Sequence, residues 1–472
     1  MKSHCLPFRQ IPHSTKLFTD YLSWSPSIQP FYSRPPRFAE LSKDETSKIR
    51  YDSARRERVA RVLERQNKAW GAAPKTLESI ARLAGGASAV VTGQQVGLFG
   101  GPLFSIFKAL TTVKLAHEAT AAGSDSVPVF WLATSDHDLD EIDHVSILGS
   151  DGSPQNLTTS TQGKHDAPVG TVTFGPEIEA VVDTLAGSLG DSEVTRLLRE
   201  SYRPGENFGS AFARLYTGLF ADWGVVLLDA SDPELHQIAQ PMYQAAVERA
   251  AVLDDALLAR GKKLEAAGYH QQVKGTPSST LLFTLRDGAR VPIHRRLNGA
   301  GAEADFLVAD EKVPQTELIR RITSEPHQFS PNVLLRPVVQ DYLLPTLVYV
   351  GGAAEVAYFG QAAVVYQALL GRVTPILPRF SATIVEAKPQ TLLDRYSLTV
   401  PDMFHSPEEL RESLAKHTLP ADLQSAFDQA DASLKKSLAA IQQSLERLDK
   451  TLVEAAANAG SKMQHQLEQL RS

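Results

Sequence analysis

SAVVTGQQVGLFGGPLFSIFKALTTVKLAHEATAAGSDSVPVFWLATS, residues 88–135, holds the key to the fold. The β-branched run at its start ends in Thr92-Gly93-Gln94-Gln95. A double glycine, Gly100-Gly101, and Pro102 follow. Leu103, Ile106, Phe107, Leu110 and Val113 then recur at helical spacing, and proline suits a helix start. The apolar run Val127–Ser135 closes the stretch. Both apolar runs are short and do not alternate, as strands covered on both faces should not. Strand, helix and strand in this order predict a right-handed βαβ unit.

Three further runs read as parallel strands of the same sheet: 223–230, 331–339 and 344–352. The predicted class is α/β, a Rossmann-like parallel-sheet core interrupted twice. The core takes residues 1–144, 205–231 and 331–390. Residues 145–204, rich in Gly, Ser, Thr and Asp, read as a first inserted segment. Residues 232–330 read as a second. It holds one long helix over 232–268, opened by Asp232-Pro233, and a hairpin around Asp287-Gly288. Residues 391–472 read as a helical coiled-coil region. From Leu423 to Leu470 apolar residues fall every three or four positions without a proline. About 50 helical residues span about 75 Å. Such a stripe needs a partner, either a second copy of the chain or another long helix such as 232–268.

The chain has 472 residues, 43% of them hydrophobic, beyond the size at which one core keeps growing. Its net charge of −6 and the absence of a basic run give no electrostatic case for nucleic acid. No stretch is apolar for the ~18 residues of a membrane span, and residues 1–15 show no secretory leader. The single cysteine, Cys5, excludes an intramolecular disulfide and cysteine-rich zinc sites. A cytoplasmic protein without membrane or nucleic-acid partners is expected.

Three stretches carry candidate chemistry, each at a strand's carboxyl end, where ligands of open α/β sheets bind. In the first, Thr92, Gly93, Gln94, Gln95, Gly100, Gly101 and Lys108 stand where backbone N–H groups at a helix start could cradle an anion. No Walker A or G-x-G-x-x-G string occurs there; a GxGxxA string at Gly299–Ala304 follows no strand and reads as a loop. In the second, Asp136, His137, Asp138, Asp140, Glu141, Asp143 and His144 crowd together. A helix would put His137, Glu141 and His144 on one face, fit for a general base, an ammonium group or a divalent metal. The alternative is an acidic helix start favoured by the dipole. In the third, Arg336 sits in an apolar run and needs an anionic partner, Asp136, Glu355 or a ligand carboxylate. Gln340, the pair Gly351-Gly352, Glu355 and Tyr358 follow it. No nucleophile elbow, Ser/His/Asp signature or catalytic cysteine is present.

These stretches, TGQQVGLFGGPLFSIFKA, PVFWLATSDHDLDEIDHV and NVLLRPVVQDYLLPTLVYVGGAAEVAYFGQ, together with FTDYLSWSPSIQPFYSRPP near the start, resemble the BshC family, the cysteine ligases of bacillithiol biosynthesis. The resemblance covers essentially the whole chain, in order. It implies a core like that of nucleotidylyl transferases, two connecting insertions and a coiled coil that makes homodimers. It also implies a reaction joining L-cysteine to glucosaminyl malate. Forming that amide needs the carboxylate activated, with ATP and Mg as the implied agent and no tightly bound prosthetic group. His137, Asp138, Glu141 and Arg336 would be catalytic; Thr92, Gly93, Gln94, Gln95, Gly100, Gly101, Lys108, Asp136, His144, Gln340, Gly351, Gly352, Glu355 and Tyr358 would bind substrate. Many family members carry Glu before Asp-His-Asp; here it is Ser135. A nucleotidylyl transferase and a non-catalytic dimeric scaffold that binds a sugar acid are the alternatives.

Overall fold

The computed structural model describes all residues except 1–2, 39–41, 150–152, 165, 277, 297–304, 419–420, 449–450 and 472. The Gly299–Ala304 string therefore lies outside the described residues. Strands β1 (Ser88–Gln94) and β2 (Ser126–Leu132) flank the helix Leu103–Ala121, forming the expected βαβ unit. Two small antiparallel pairs follow, β3 (His144–Leu148) with β4 (Pro154–Thr158), and β5 (Thr161–Gln162) with β6 (Thr173–Phe174). Next come β7 (Val226–Asp229), β8 (Ser279–Arg286), β9 (Ala289–Arg295), β10 (Asp305–Val308), β11 (Glu311–Pro314) and β12 (Phe329–Pro331). The last strands are β13 (Thr346–Gly351) and β14 (Ile376–Pro378).

The central sheet has the order β14-β13-β1-β2-β7. Every pairing in it is parallel, with Val91 opposite both Tyr349 and Val129. From β1 the chain winds outward through β2 to β7, then returns on the other side of β1 with β13 and β14. The winding reverses between β1 and β13. Helices on either side leave a crevice at such a reversal, outside the strands' carboxyl ends.

The run 331–339 is not a strand of this sheet. Phe329–Pro331 pairs antiparallel with β8 in the second sheet, ordered β11-β10-β9-β8-β12. Asn332 then stops extension: its Oδ1 accepts the N–H groups of Leu334 and Leu335, both at 3.0 Å. The helix Arg336–Leu343 follows, with Pro337 in its first turn. A proline has no N–H for a central ladder, but costs nothing at a helix start. The true edge strand, β14, is three residues long and bounded by Pro375 and Pro378, too short to register as an apolar run.

The long helix expected over 232–268 is two, Pro233–Glu248 and Ala250–Ala266, joined at the non-helical Arg249. The hairpin β8–β9 turns at Asp287-Gly288 as its sequence predicts, both residues having positive φ. The segment 145–204 adds to the core. Val169, Val172, Phe174, Ile178, Val182, Leu198 and Tyr202 are buried in one cluster with Phe130 and Phe212.

Residues 15–381 form one compact unit; the second comprises 1–14 and 382–472. In the second, the expected continuous tail helix is two helices, Ala421–Leu448 and Thr451–Arg471, that pack on each other. Gly460 faces Leu438, and Ala430 and Leu434 share a groove with Met463, Leu467 and Leu470, so the pair is antiparallel. The apolar stripe finds its first partner in itself, because a reversal lets the heptad positions of one half cover those of the other. No helix among the described residues is long and apolar enough to cross a membrane.

Candidate functional site

A cavity of about 750 Å³ opens where the winding reverses. The central sheet supplies Gly93 and Gln94 at the end of β1, Ala133, Ser135 and Asp136 after β2, and Gly352 after β13. Phe104 and Lys108 come from the helix that follows β1, and Arg379 from the residue after β14. The second sheet closes the far wall with Phe283, Arg290 and Pro331, joined by His236 and Tyr243 from the helix Pro233–Glu248.

At the sheet end of this cavity the charges are closely matched. Lys108 is buried and donates to Gly93 O at 2.9 Å, Gln94 Oε1 at 2.8 Å and Glu355 Oε2 at 2.6 Å. An ammonium has three N–H groups, and these three acceptors use all of them. Burial pulls the lysine below its ordinary pKa, and Glu355 opposes that shift. Glu355 also accepts from Tyr349 Oη at 2.6 Å and from the Gly352 N–H at 2.7 Å, satisfying a free donor at the start of the helix Ala353–Leu370. Arg336 donates to Gln340 Oε1 at 3.0 Å and Tyr358 Oη at 2.7 Å. Burial pulls its pKa down, but Tyr358, Tyr349 and Glu355 outweigh that and hold it above the ordinary value.

The acidic stretch after β2 is a loop rather than a helix. Its carbonyls are taken from outside: Val169 N donates to Asp136 O at 2.7 Å and Gly170 N to Thr134 O at 2.9 Å. Asp136 Oδ1 accepts the next N–H, of His137, at 2.9 Å. These bonds replace the i→i+4 ladder a helix would need. His137 Nδ1 lies 3.2 Å from Arg290 Nη1. A guanidinium only donates, so Nδ1 accepts and the ring proton sits on Nε2. Asp136 Oδ1 lies 3.6 Å from Arg290 Nη1. Glu141 accepts from Gln95 Nε2 at 2.6 Å. Burial, then the charges of Asp138 and Asp136, raise its pKa above the usual carboxylate value.

A family model described as "Bacillithiol biosynthesis BshC, N-terminal Rossmann-like domain" matches residues 1–380, and one for the "C-terminal coiled-coil domain" of BshC matches 382–472. The chain belongs to the BshC family. A relative from Koribacter versatilis named "Putative cysteine ligase BshC" is 49% identical, over 99% of this chain and 86% of the relative. Relatives of the same name from Solibacter usitatus and Salinibacter ruber are 36% and 35% identical, over 99% and 96% of this chain and 86% and 83% of their own lengths. The Rossmann-like core and helical C-terminal region expected from the sequence agree with both family models.

In this BshC chain the crevice gathers Gly93, Gln94, Gln95, Lys108, Asp136, Arg336, Gly352, Glu355 and Tyr358 of the sequence-derived set. Glu141 stands beside it on Gln95, and His137 behind Arg290. Asp138 and Asp140 are exposed on the same loop, followed by Asp143. Others face elsewhere. Thr92 is buried and its hydroxyl donates to Val350 O, tying β1 to β13. The Gly100 N–H donates to the buried Tyr202 hydroxyl at 3.0 Å, and Gly101 N to Leu98 O, so neither amide is open to a ligand. His144 begins β3 and contacts Asp143. Gln340 is fully buried behind Arg336, and Gly351 is buried at the end of β13. Arg336 pairs with neither expected carboxylate directly; Asp136 faces Arg290 instead. Sequence reasoning missed Arg290, Arg379, His236, Tyr243 and Phe283. Arg379, just past Pro378, carried a signal that an unrecognised short strand concealed. The others lie on elements whose placement no local pattern announces. Among the described residues no group of three or more His, Cys, Asp or Glu is arranged to hold a metal ion.

Proposed function

We propose that this chain is a ligase that joins the carboxylate of L-cysteine to the amine of glucosaminyl malate, forming the amide of bacillithiol. The observation that carries the reading is the crevice at the carboxyl ends of β1, β2 and β13, in a chain matched along its length by relatives bearing a cysteine-ligase name. Amide formation from a carboxylate and an ammonium ion does not proceed in neutral water. The cysteine carboxyl must first be activated, for which ATP with Mg is the agent, leaving as AMP and pyrophosphate or as ADP and phosphate. The amine nitrogen then attacks the acyl carbon, the C–N bond forms, the activating group departs, and the amine's proton passes to a base.

The roles follow from the contacts. Glu141 is the candidate base: its raised pKa and position on Gln95 suit it to take the amine's proton. His137, with Nδ1 turned to Arg290, offers Nε2–H as a donor to substrate oxygen. Asp136 and Asp138 hold the ammonium form before proton transfer. The cations facing Glu355 give the sheet end of the cavity the polarity an acidic substrate needs. The homodimer is proposed through the tail, where Ile441, Leu452, Met463 and Leu470 remain exposed after the two helices pair. A cytoplasmic location fits a reaction whose substrate and product carry a free thiol, and a chain with a single cysteine.

Purified protein supplied with glucosaminyl malate, L-cysteine and Mg-ATP should yield bacillithiol by mass spectrometry. Glu141→Gln should lower kcat by about 10²–10⁴. Pyrophosphate release without cysteine dependence would instead favour a nucleotidylyl transferase. Saturable binding of glucosaminyl malate without any turnover would favour a scaffold.

A further inference from the structure

Four cations line the crevice: Lys108, Arg290, Arg336 and Arg379. Their hydrogen bonds separate them. Lys108 gives all three N–H groups to protein acceptors. Arg290 donates from all three nitrogens, Nε to Ser330 Oγ, Nη1 to His137 and Nη2 to Pro331 O. Arg336 donates from both Nη atoms. Arg379 differs. Only its Nη1 is engaged, with Phe380 O at 3.0 Å and Ser381 Oγ at 2.7 Å. The adjacent Nε and Nη2 donate to no protein group among the described residues. Those two nitrogens form the fork edge that a carboxylate meets with two parallel hydrogen bonds.

The guanidinium is held for that task. Its backbone N–H is fixed to Gly351 O at 2.8 Å as β14 ends, and its plane lies over the Phe104 ring at 5.0 Å. Gly352 keeps the approach clear: a Cβ there would stand 3.5 Å from Arg379 Nε and 3.6 Å from Glu355 Oε2. Gly352 has φ −83°, which any residue adopts, so backbone strain gives no reason for glycine. A Cβ would fit at ordinary contact distance but would stand beside the Nε edge, where a ligand must approach. Glu355 accepts from Tyr349, Gly352 N and Lys108 and makes no hydrogen bond to Arg379 among the described residues. The neighbouring carboxylate also makes the subsite better suited to a singly charged oxyanion than to a phosphate dianion.

We infer that Arg379, across the open face of Gly352, grips a carboxylate of the substrate in bidentate fashion, while Lys108, Arg290 and Arg336 position the walls. The inference deepens the ligase reading above, for which the carboxylate is one of those on the malyl group. Its test uses L-malate alone as the probe, with no ATP or cysteine, and so is independent of turnover. Isothermal titration of the full chain should show saturable malate binding. Arg379→Gln should raise Kd at least tenfold, Arg379→Lys should fall between, and Gly352→Val should weaken binding with the guanidinium still present. Near-UV circular dichroism should match the unsubstituted chain in each variant. Malate affinity within twofold of normal in Arg379→Gln overturns the inference. So does the absence of saturable malate binding by the unsubstituted chain, or inorganic phosphate competing more strongly than malate. A chain that binds malate through Arg379 yet makes no bacillithiol keeps the subsite and loses the ligase reading. A chain that makes bacillithiol while Arg379→Gln binds malate normally does the reverse.

Discussion

Two junctions of this molecule are written in nearly the same way. TGQQVGLFGGP after β1 and VGGAAEV after β13 each end a buried strand, spend two glycines and open a helix. Their outcomes differ. In the first, the double glycine turns inward: Gly100 has φ 94°, donates its N–H to Tyr202 Oη, accepts at its carbonyl from Tyr216 Oη, and is buried. In the second, Gly352 faces the crevice, and its N–H anchors a glutamate that in turn holds Lys108. The same local chemistry serves packing at one strand end and ligand access at the other. The neighbours make the difference, tyrosines from an inserted segment and a core helix in one case, and an arginine past a short edge strand in the other.

Substitutions can break this contrast, beginning with the largest effect. Glu355→Ala leaves Lys108 charged and buried without its carboxylate, which should destabilise the fold by about 3–5 kcal/mol in urea unfolding. Adding Lys108→Met should recover part of that loss; an additive double variant would show that the pair is not coupled.

The crevice side should also show itself through pH. Burial lowers the His236 pKa to about 4. The unfolded chain's histidine protonates near 6.5, so as pH falls the unfolded state binds its proton first. Stability from this residue is therefore complete above pH 6.5 and is lost down to pH 4, by about 3 kcal/mol in full. His236→Gln should flatten that part of the pH dependence, as read from urea midpoints at pH 7 and 4.5.

The two glycines sharpen the comparison further. Gly100→Ala forces a side chain into positive φ and places Cβ 3.2 Å from Leu215, and should cost about 1–3 kcal/mol. Gly352→Ala meets only ordinary contacts and should change stability by less than about 0.5 kcal/mol, while weakening malate binding. Equal losses of stability at both positions would erase the distinction.

Much of the fold was legible. The βαβ unit, the strands β1, β2, β7 and β13, the Asp287-Gly288 hairpin and the helical tail all follow from periodicity and turn chemistry. The acidic loop and the run at 331–339 were not: distant residues compete for the loop's backbone groups, and a side-chain cap turns the apolar run into a helix. Val169 and Gly170 take the carbonyls that a helix after β2 would have used, and Asn332 caps its own turn. The tail's stripe announced a partner but not its identity; Leu438 against Gly460 answers part of that question.

Sequence by itself determined the elements, their family and the three strand ends where charged and glycine residues collect, because those depend on neighbours a few positions apart. Tertiary structure alone decided which amides stay open, which cation keeps a free fork and which nitrogen of His137 carries its proton. Those properties rest on how elements far apart in the chain come together around each group, and hydrogen-bond satisfaction at a buried group is fixed only when every partner is in place.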